Sequence, residues 1–198
     1  MSASIFTNSE GNTPIGPDEI EDLIPNLATR LELNEWERDN IIRAERWCFS
    51  PKVLKKFNPL SEVDLRSLHR RMFDATWKWA GTYRKTEKTI GVPIVQINTA
   101  IASLLDDAEY WIKERPFECD EIAIRFHHKL VLIHPFPNGN GRHSRLISDV
   151  LAVQLGCPRF TWGRANLQAE GGVRDRYISA LKCADLNDLK PLIAFARS

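Results

Sequence analysis

The run His134-Pro135-Phe136-Pro137-Asn138-Gly139-Asn140-Gly141-Arg142-His143-Ser144-Arg145 decides how this chain folds. Before it, Ile122, Ala123, Phe126, Leu130 and Ile133 recur at helical spacing, which puts His134 on the last turn of a helix. Pro135 disfavours helical geometry at the residue before it, so the helix stops there. After the Gly139-Asn140-Gly141 turn, Leu146, Ile147, Val150, Leu151 and Val153 restart the pattern and carry it to Gly156. The short loop turns the chain back and sets an imidazole against the N-terminus of the following helix.

Phosphate chemistry suits such a corner. The first N–H groups of a helix have no internal partners and carry partial positive charge. Glycines let a ligand come close to the backbone. Arg142 and Arg145 are three apart, project from one face and add two forks for phosphate oxygens. A histidine beside them can take a proton from an attacking hydroxyl near neutral pH. His69, His127, His128 and His143 have no such context and read as surface or structural.

Composition narrows the class. A chain of 198 residues fits one domain with a short extension, and 43% hydrophobic residues with six tryptophans fill a core without metal or disulfide support. Lys+Arg number 27 against 26 Asp+Glu, which argues against a nucleic-acid binder driven by bulk charge but leaves room for a local basic pocket. Cys48, Cys119, Cys157 and Cys183 lack CxxC spacing and read as reduced, mostly buried thiols of a cytoplasmic protein. No apolar run reaches membrane-spanning length, and no direct contact with membrane or nucleic acid is expected.

Along the chain, residues 1–33 read as an extended arm broken by Pro14, Pro17 and Pro25, and 34–198 as one domain. A helix begins near Asn34 with Trp36, Ile41, Ile42, Ala44 and Trp47 on its apolar face, and a second starts at Ser61, where Asp64 completes a capping box. Trp79-Ala80-Gly81-Thr82-Tyr83-Arg84 breaks the rhythm. Extended runs at 83–88 and 93–97 around Gly91 predict a small β-hairpin, and helices follow at 99–113, 120–133, 141–155, 174–182 and 188–196. The expected fold is all-α, mostly helical, with one hairpin.

The decisive run resembles the Fic/Doc signature, His-Pro-Phe-x-Asp/Glu-Gly-Asn-Gly-Arg-x-x-Arg, with Asn138 in place of the carboxylate. Trp79 to Arg84 resembles the approach to the family's hairpin flap, and Arg174 to Leu181 its segment after the signature helix, so the likeness spans roughly residues 59–195. Gly11-Asn12-Thr13-Pro14, Leu33-Asn34-Glu35-Trp36-Glu37 and the Pro137-Asn138 variant resemble the bacterial subfamily labelled mobile mystery protein B.

The resemblance implies transfer of AMP, or another nucleotide-derived phosphate group, from ATP to a Ser, Thr or Tyr hydroxyl of a target protein. His134 is then the general base, while Gly139, Asn140, Gly141, Arg142, Arg145 and Tyr177 bind nucleotide and phosphate. Thr86, Glu87, Lys88, Thr89, Ile90 and Gly91 form the flap, whose strand edge pairs with the target. The family's carboxylate holds Mg²⁺; Asn138 offers a neutral dipole and is a weak ligand. Three outcomes stay open: slow nucleotidyl transfer, an altered chemistry such as a Doc-like protein kinase, or an inactive module binding nucleotide or a regulator. Asn166 to Gly171 approaches the family's inhibitory motif without its Ser/Thr, so inhibition is expected from a separate antitoxin-like partner, as in toxin–antitoxin pairs, or is absent; a DNA-binding regulator is the partner expected of the binding-module reading.

Overall fold

The computed structural model describes residues 20–27, 29–164 and 172–198. Its helices are α1 (Arg30–Cys48), α2 (Pro51–Leu54), α3 (Glu62–Phe73), α4 (Ile97–Glu114), α5 (Cys119–Ile133), α6 (Asn140–Gln154), α7 (Gly172–Asp185) and α8 (Lys190–Arg197). The near-match at 166–171 and residues 1–19 of the expected arm lie outside the described residues.

Local chemistry sets the ends. Thr29 caps α1 in a reciprocal box with Glu32, their bonds 3.2 and 3.0 Å long. Ser61 caps α3 by accepting from the Asp64 N–H at 3.4 Å, but the Asp64 carboxylate turns instead to the Asn58 N–H at 2.9 Å, so the expected box is only half made. Ahead of α1, the Ile24 N–H donates to Thr76 and the Lys78 N–H to Asp22, laying the arm along the corner after α3.

Helices α5 and α6 pack against each other, α1 lies on α3, and α4 flanks α5. Leu65, Leu68, Met72 and Phe73 of α3 meet Phe126 and Leu130 of α5 and Ile147 and Val150 of α6 in one core from which water is excluded. Each such side chain contributes about 1.5–3 kcal/mol through burial. A second cluster of Phe160, Trp162, Tyr177, Leu192 and Phe195 fastens α7 and α8 to the rear of α5.

Two expectations are corrected. Among the described residues no strand forms; a lone antiparallel bridge joins Leu23 and Trp77, and 83–97 makes no hairpin. The backbone of the segment bonds to the His134 loop: the Arg84 N–H donates to Pro135 at 2.8 Å and the Val92 N–H to Ile133 at 3.3 Å. Residues 94–96 wind into a 3₁₀ turn that runs into α4. Nor are all thiols reduced. Cys119 at the start of α5 and Cys157 after α6 form a disulfide with Cα atoms 6.5 Å apart, while Cys48 and Cys183 are free. The two sulfurs meet because α5 and α6 run antiparallel, a pairing that spacing along the chain does not display.

Candidate active site

The site lies where α5 ends and α6 begins. His134 closes α5 with a left-handed backbone, φ 53° and ψ 57°, which a non-glycine residue holds only when its surroundings enforce it. Its imidazole is buried at 4% exposure. Burial lowers its pKa to about 4; a hydrogen bond with the Val131 backbone pulls upward, and the charges of Arg84 and Lys88 push further down. At neutral pH it is an uncharged proton acceptor.

The flap segment covers it without a hairpin. Residues 85–87 and 89–91 are exposed and Lys88 is half-buried. Gly91, at φ 106°, passes so close that an added Cβ would stand 2.8 Å from His134 Cβ and 3.1 Å from the Ile133 carbonyl oxygen. Only glycine fits.

Opposite, Gly139 opens α6 at φ 76°, and a side chain there would run into the Phe73 ring. The N–H groups of Asn140, Gly141 and Arg142 belong to the first turn of α6, where no helical carbonyl reaches them. The Asn140 side chain does not join them. Its amide oxygen accepts from the Phe136 N–H at 2.9 Å and its amide nitrogen donates to the Phe136 carbonyl at 2.8 Å. In this structure that amide shapes the loop.

The two arginines have parted. Arg142 Nη1 donates to Glu37 Oε2 at 2.5 Å, its Nη2 to Asn138 Oδ1 at 3.3 Å, and its guanidinium lies over Phe73. A phosphate at Arg142 would have to displace this buried carboxylate. Arg145 sits over the Tyr177 ring, 5.3 Å from its centroid. Tyr177 is itself buried, its hydroxyl 3.0 Å from His127 Nε2, and its ring carries Arg145. Asn138 Oδ1 also accepts from the Gly139 N–H at 2.6 Å. An amide oxygen already taken by two donors, one of them cationic, does not suit Mg²⁺, which asks for anionic oxygen. The residues present do not fit the metal.

Three contributors escaped the sequence reading. His69 takes the Gly81 N–H on Nδ1 at 3.0 Å and donates from Nε2 to the Asn138 carbonyl at 3.1 Å, neutral because burial drives its pKa well down. Glu37 holds Arg142 with one oxygen and accepts from the Trp77 indole with the other at 2.8 Å. Arg84 is buried at 3% exposure and donates from Nε to the His134 carbonyl at 2.7 Å. Its place at the end of Trp79 to Arg84 was the one signal that could have drawn notice.

A neutral buried imidazole at the end of α5, a glycine-opened N-terminus at the start of α6 and one arginine on a tyrosine ledge mark the candidate site of a mostly helical domain. Residues 59–152 match the model of the Fic/DOC family, and this chain contains a domain of that family. It is 30% identical over 148 residues to protein adenylyltransferase fic-1 of Caenorhabditis briggsae, covering 71% of this chain and 27% of that protein. Protein adenylyltransferase Fic of Culex quinquefasciatus gives 30% over 147 residues, 72% of this chain and 28% of the relative. The chain thus spans about a quarter of the length of these curated relatives. A structure of Fic-1 from C. elegans superposes at TM-score 0.64 with 25% identity, covering 90% of this chain and 51% of that one. BepC, a VirB-translocated effector of Bartonella tribocorum with bound AMPPNP, reaches TM-score 0.67 at 16% identity over 92% of this chain and 97% of its own, a likeness of fold. No helix among the described residues is long and apolar enough to cross a membrane.

Proposed function

We propose that this chain moves AMP from ATP to the hydroxyl of a serine, threonine or tyrosine on a target protein. The observation that carries the reading is His134, a neutral buried imidazole at the end of α5, in the short loop that leads to the glycine turn opening α6. The target O–H gives its proton to the imidazole, the freed oxygen bonds to the α-phosphorus, and the bond to pyrophosphate breaks. Backbone N–H groups at 140–142 and the Arg145 guanidinium meet the charge that develops on the phosphates. The segment 86–91 receives the target. The names of the curated relatives, protein adenylyltransferases, point the same way.

A second reading rests on Asn138 and Arg142. With the amide oxygen turned into the loop and the arginine held by Glu37, the same fold suits a module that binds nucleotide and turns over slowly. A reversed, Doc-like kinase orientation is disfavoured by the intact Gly139-Asn140-Gly141-Arg142. The narrower kinship with mobile mystery protein B rests on Gly11 to Pro14, Leu33 to Glu37 and Pro137-Asn138, and with it an antitoxin-like or DNA-binding partner in the cytoplasm of a bacterium. Residues 34–198 act as the transfer unit and 1–33 as its arm.

Incubation with a cell lysate and ATP labelled at the α- or the γ-phosphate separates these readings. Label passing only from the α position establishes AMP transfer, and label from the γ position establishes a kinase. Saturable ATP binding with no transfer of either label leaves the binding module.

A further inference from the structure

The Arg84 side chain is wholly shielded from solvent, an unusual place for a permanent charge. Its donors are spread over two structural units. Nε meets the His134 carbonyl at 2.7 Å. Nη1 meets the Thr86 carbonyl at 3.2 Å and the Glu87 carboxylate at 3.4 Å, and Nη2 meets the Val92 carbonyl. The chain leaves the body of the domain at Arg84 and returns at Val92, so one guanidinium holds both ends of the exposed loop between them. Glu87 extends the tie by accepting from the Ile94 N–H at 3.1 Å. In place of a strand ladder, a buried fork closes the flap.

The same fork reaches the residue that is hardest to hold. His134 keeps a left-handed backbone directly before a proline, and its carbonyl direction is fixed by Arg84 Nε. The Arg84 N–H adds a bond to Pro135 at 2.8 Å, so main chain and side chain bracket the peptide between 134 and 135. A lysine could not do this, because an ammonium is a point donor without the planar spread of a guanidinium.

We infer that Arg84 is a positioning residue for the transfer reaction: it locks the 85–91 loop and the His134 backbone into one unit, so that a target segment gripped by the loop arrives with its hydroxyl in register with the imidazole. This rests on the reading of His134 as the base. Nucleotide is held across the site by α6, so ATP binding stands apart from the coupling.

The test uses the full chain with α-labelled ATP as donor and, as acceptor, the purified lysate protein that takes the label. Arg84→Lys is expected to lower kcat on the order of 100-fold, since ångström-scale misplacement of a reacting group has that effect, and to raise the target KM. ATP affinity by calorimetry stays within about twofold, because the phosphate contacts are untouched. Amide hydrogen exchange at 86–92 speeds up while exchange in α3 and α6 is unchanged. Wild-type kcat and target KM in Arg84→Lys, with unaltered exchange at 86–92, overturn the inference. Should Arg84→Lys not fold, Glu87→Ala removes one outer contact of the fork; it is expected to speed exchange at 86–92 and raise target KM several-fold, and no change in either overturns the inference as well. If no lysate protein takes label, or His134→Ala still transfers, the failure belongs to the transfer reading, and the exchange measurement alone decides whether Arg84 couples the loop to His134.

Discussion

Arg142 and Glu37, separated by 105 positions in the chain, form a nearly buried ion pair with their side chains only 17% and 5% exposed. The Trp77 indole occupies the other carboxylate oxygen, so α1, the corner after α3 and the start of α6 meet at one carboxylate. In this arrangement the first signature arginine is a structural cation.

Glu37→Gln keeps an acceptor for Trp77 but strands the charge of Arg142. Unfolding in urea is expected to show a loss of about 3 kcal/mol, the usual result of breaking a buried pair from one side. Calorimetry is expected to show tighter ATP binding, because the released guanidinium can swing to phosphate. Unchanged ATP affinity would mean that Arg142 never reaches the nucleotide.

His134→Ala removes the proton acceptor and leaves the N-terminus of α6 intact. Transfer of label is expected to fall to background while ATP still binds with near wild-type affinity. Transfer at the normal rate contradicts the role of His134 as base.

Arg145→Ala takes away the guanidinium over Tyr177. ATP affinity is expected to drop by about 1.5–3 kcal/mol, the range for a hydrogen bond to a charged group, with AMP affected less because it lacks the outer phosphates. Equal losses for ATP and AMP would place Arg145 elsewhere.

The sequence disclosed what is local. Pro135 announces the end of α5, the 3.6-residue rhythm of Leu146, Ile147, Val150 and Leu151 announces α6, and both helices start and stop within a residue or so of expectation. Relations across the chain were hidden. The partners of His69, Arg84 and Glu37 at the site lie 69, 50 and 105 positions away, and no local pattern encodes such distances. The hairpin expectation failed for a related reason: extended residues around Gly91 satisfied the strand pattern, but the Arg84 guanidinium ties the two halves through Thr86, Glu87 and Val92, and their backbone N–H groups go to 133–135. Nor does the glycine-flanked Asn140 announce in sequence that its amide pairs with the backbone four residues earlier.

Asn138→Asp puts an anionic oxygen where the amide now accepts from Gly139 and Arg142. Transfer is expected to become steeply dependent on Mg²⁺ and faster at saturating metal, as a hard cation gains a charged ligand. A titration of single-turnover rate against Mg²⁺ decides it; an identical profile to wild type shows that position 138 does not govern metal.

Acid should unfold this domain early. Burial holds His127 at about 3 and His134 and His143 at about 4, and drives His69 well below its ordinary value. In the unfolded chain these imidazoles bind protons near pH ~6.5, so below that the unfolded state takes up more protons and stability falls as pH drops towards about 4. Asp149, which burial pushes up to about 6, works in the opposite sense and offsets one of the four. Urea midpoints are expected to be clearly lower at about pH 5 than at about pH 7.5. A flat profile would show that these histidines are solvated.

The disulfide between Cys119 and Cys157 acquires meaning from where it sits. Helix α5 carries Cys119 at its first residue and hands on to His134 at its end, and α6 runs back from the glycine turn towards Cys157. A 15-residue helix is about 22 Å long, so the sulfur bridge and the proton acceptor occupy opposite ends of the same pair of rods. Pinning two rods at one end limits how far they can splay at the other. The opening between His134 and the glycine turn is thus limited, like the jaws of tongs, by a covalent rivet at the far end of both helices.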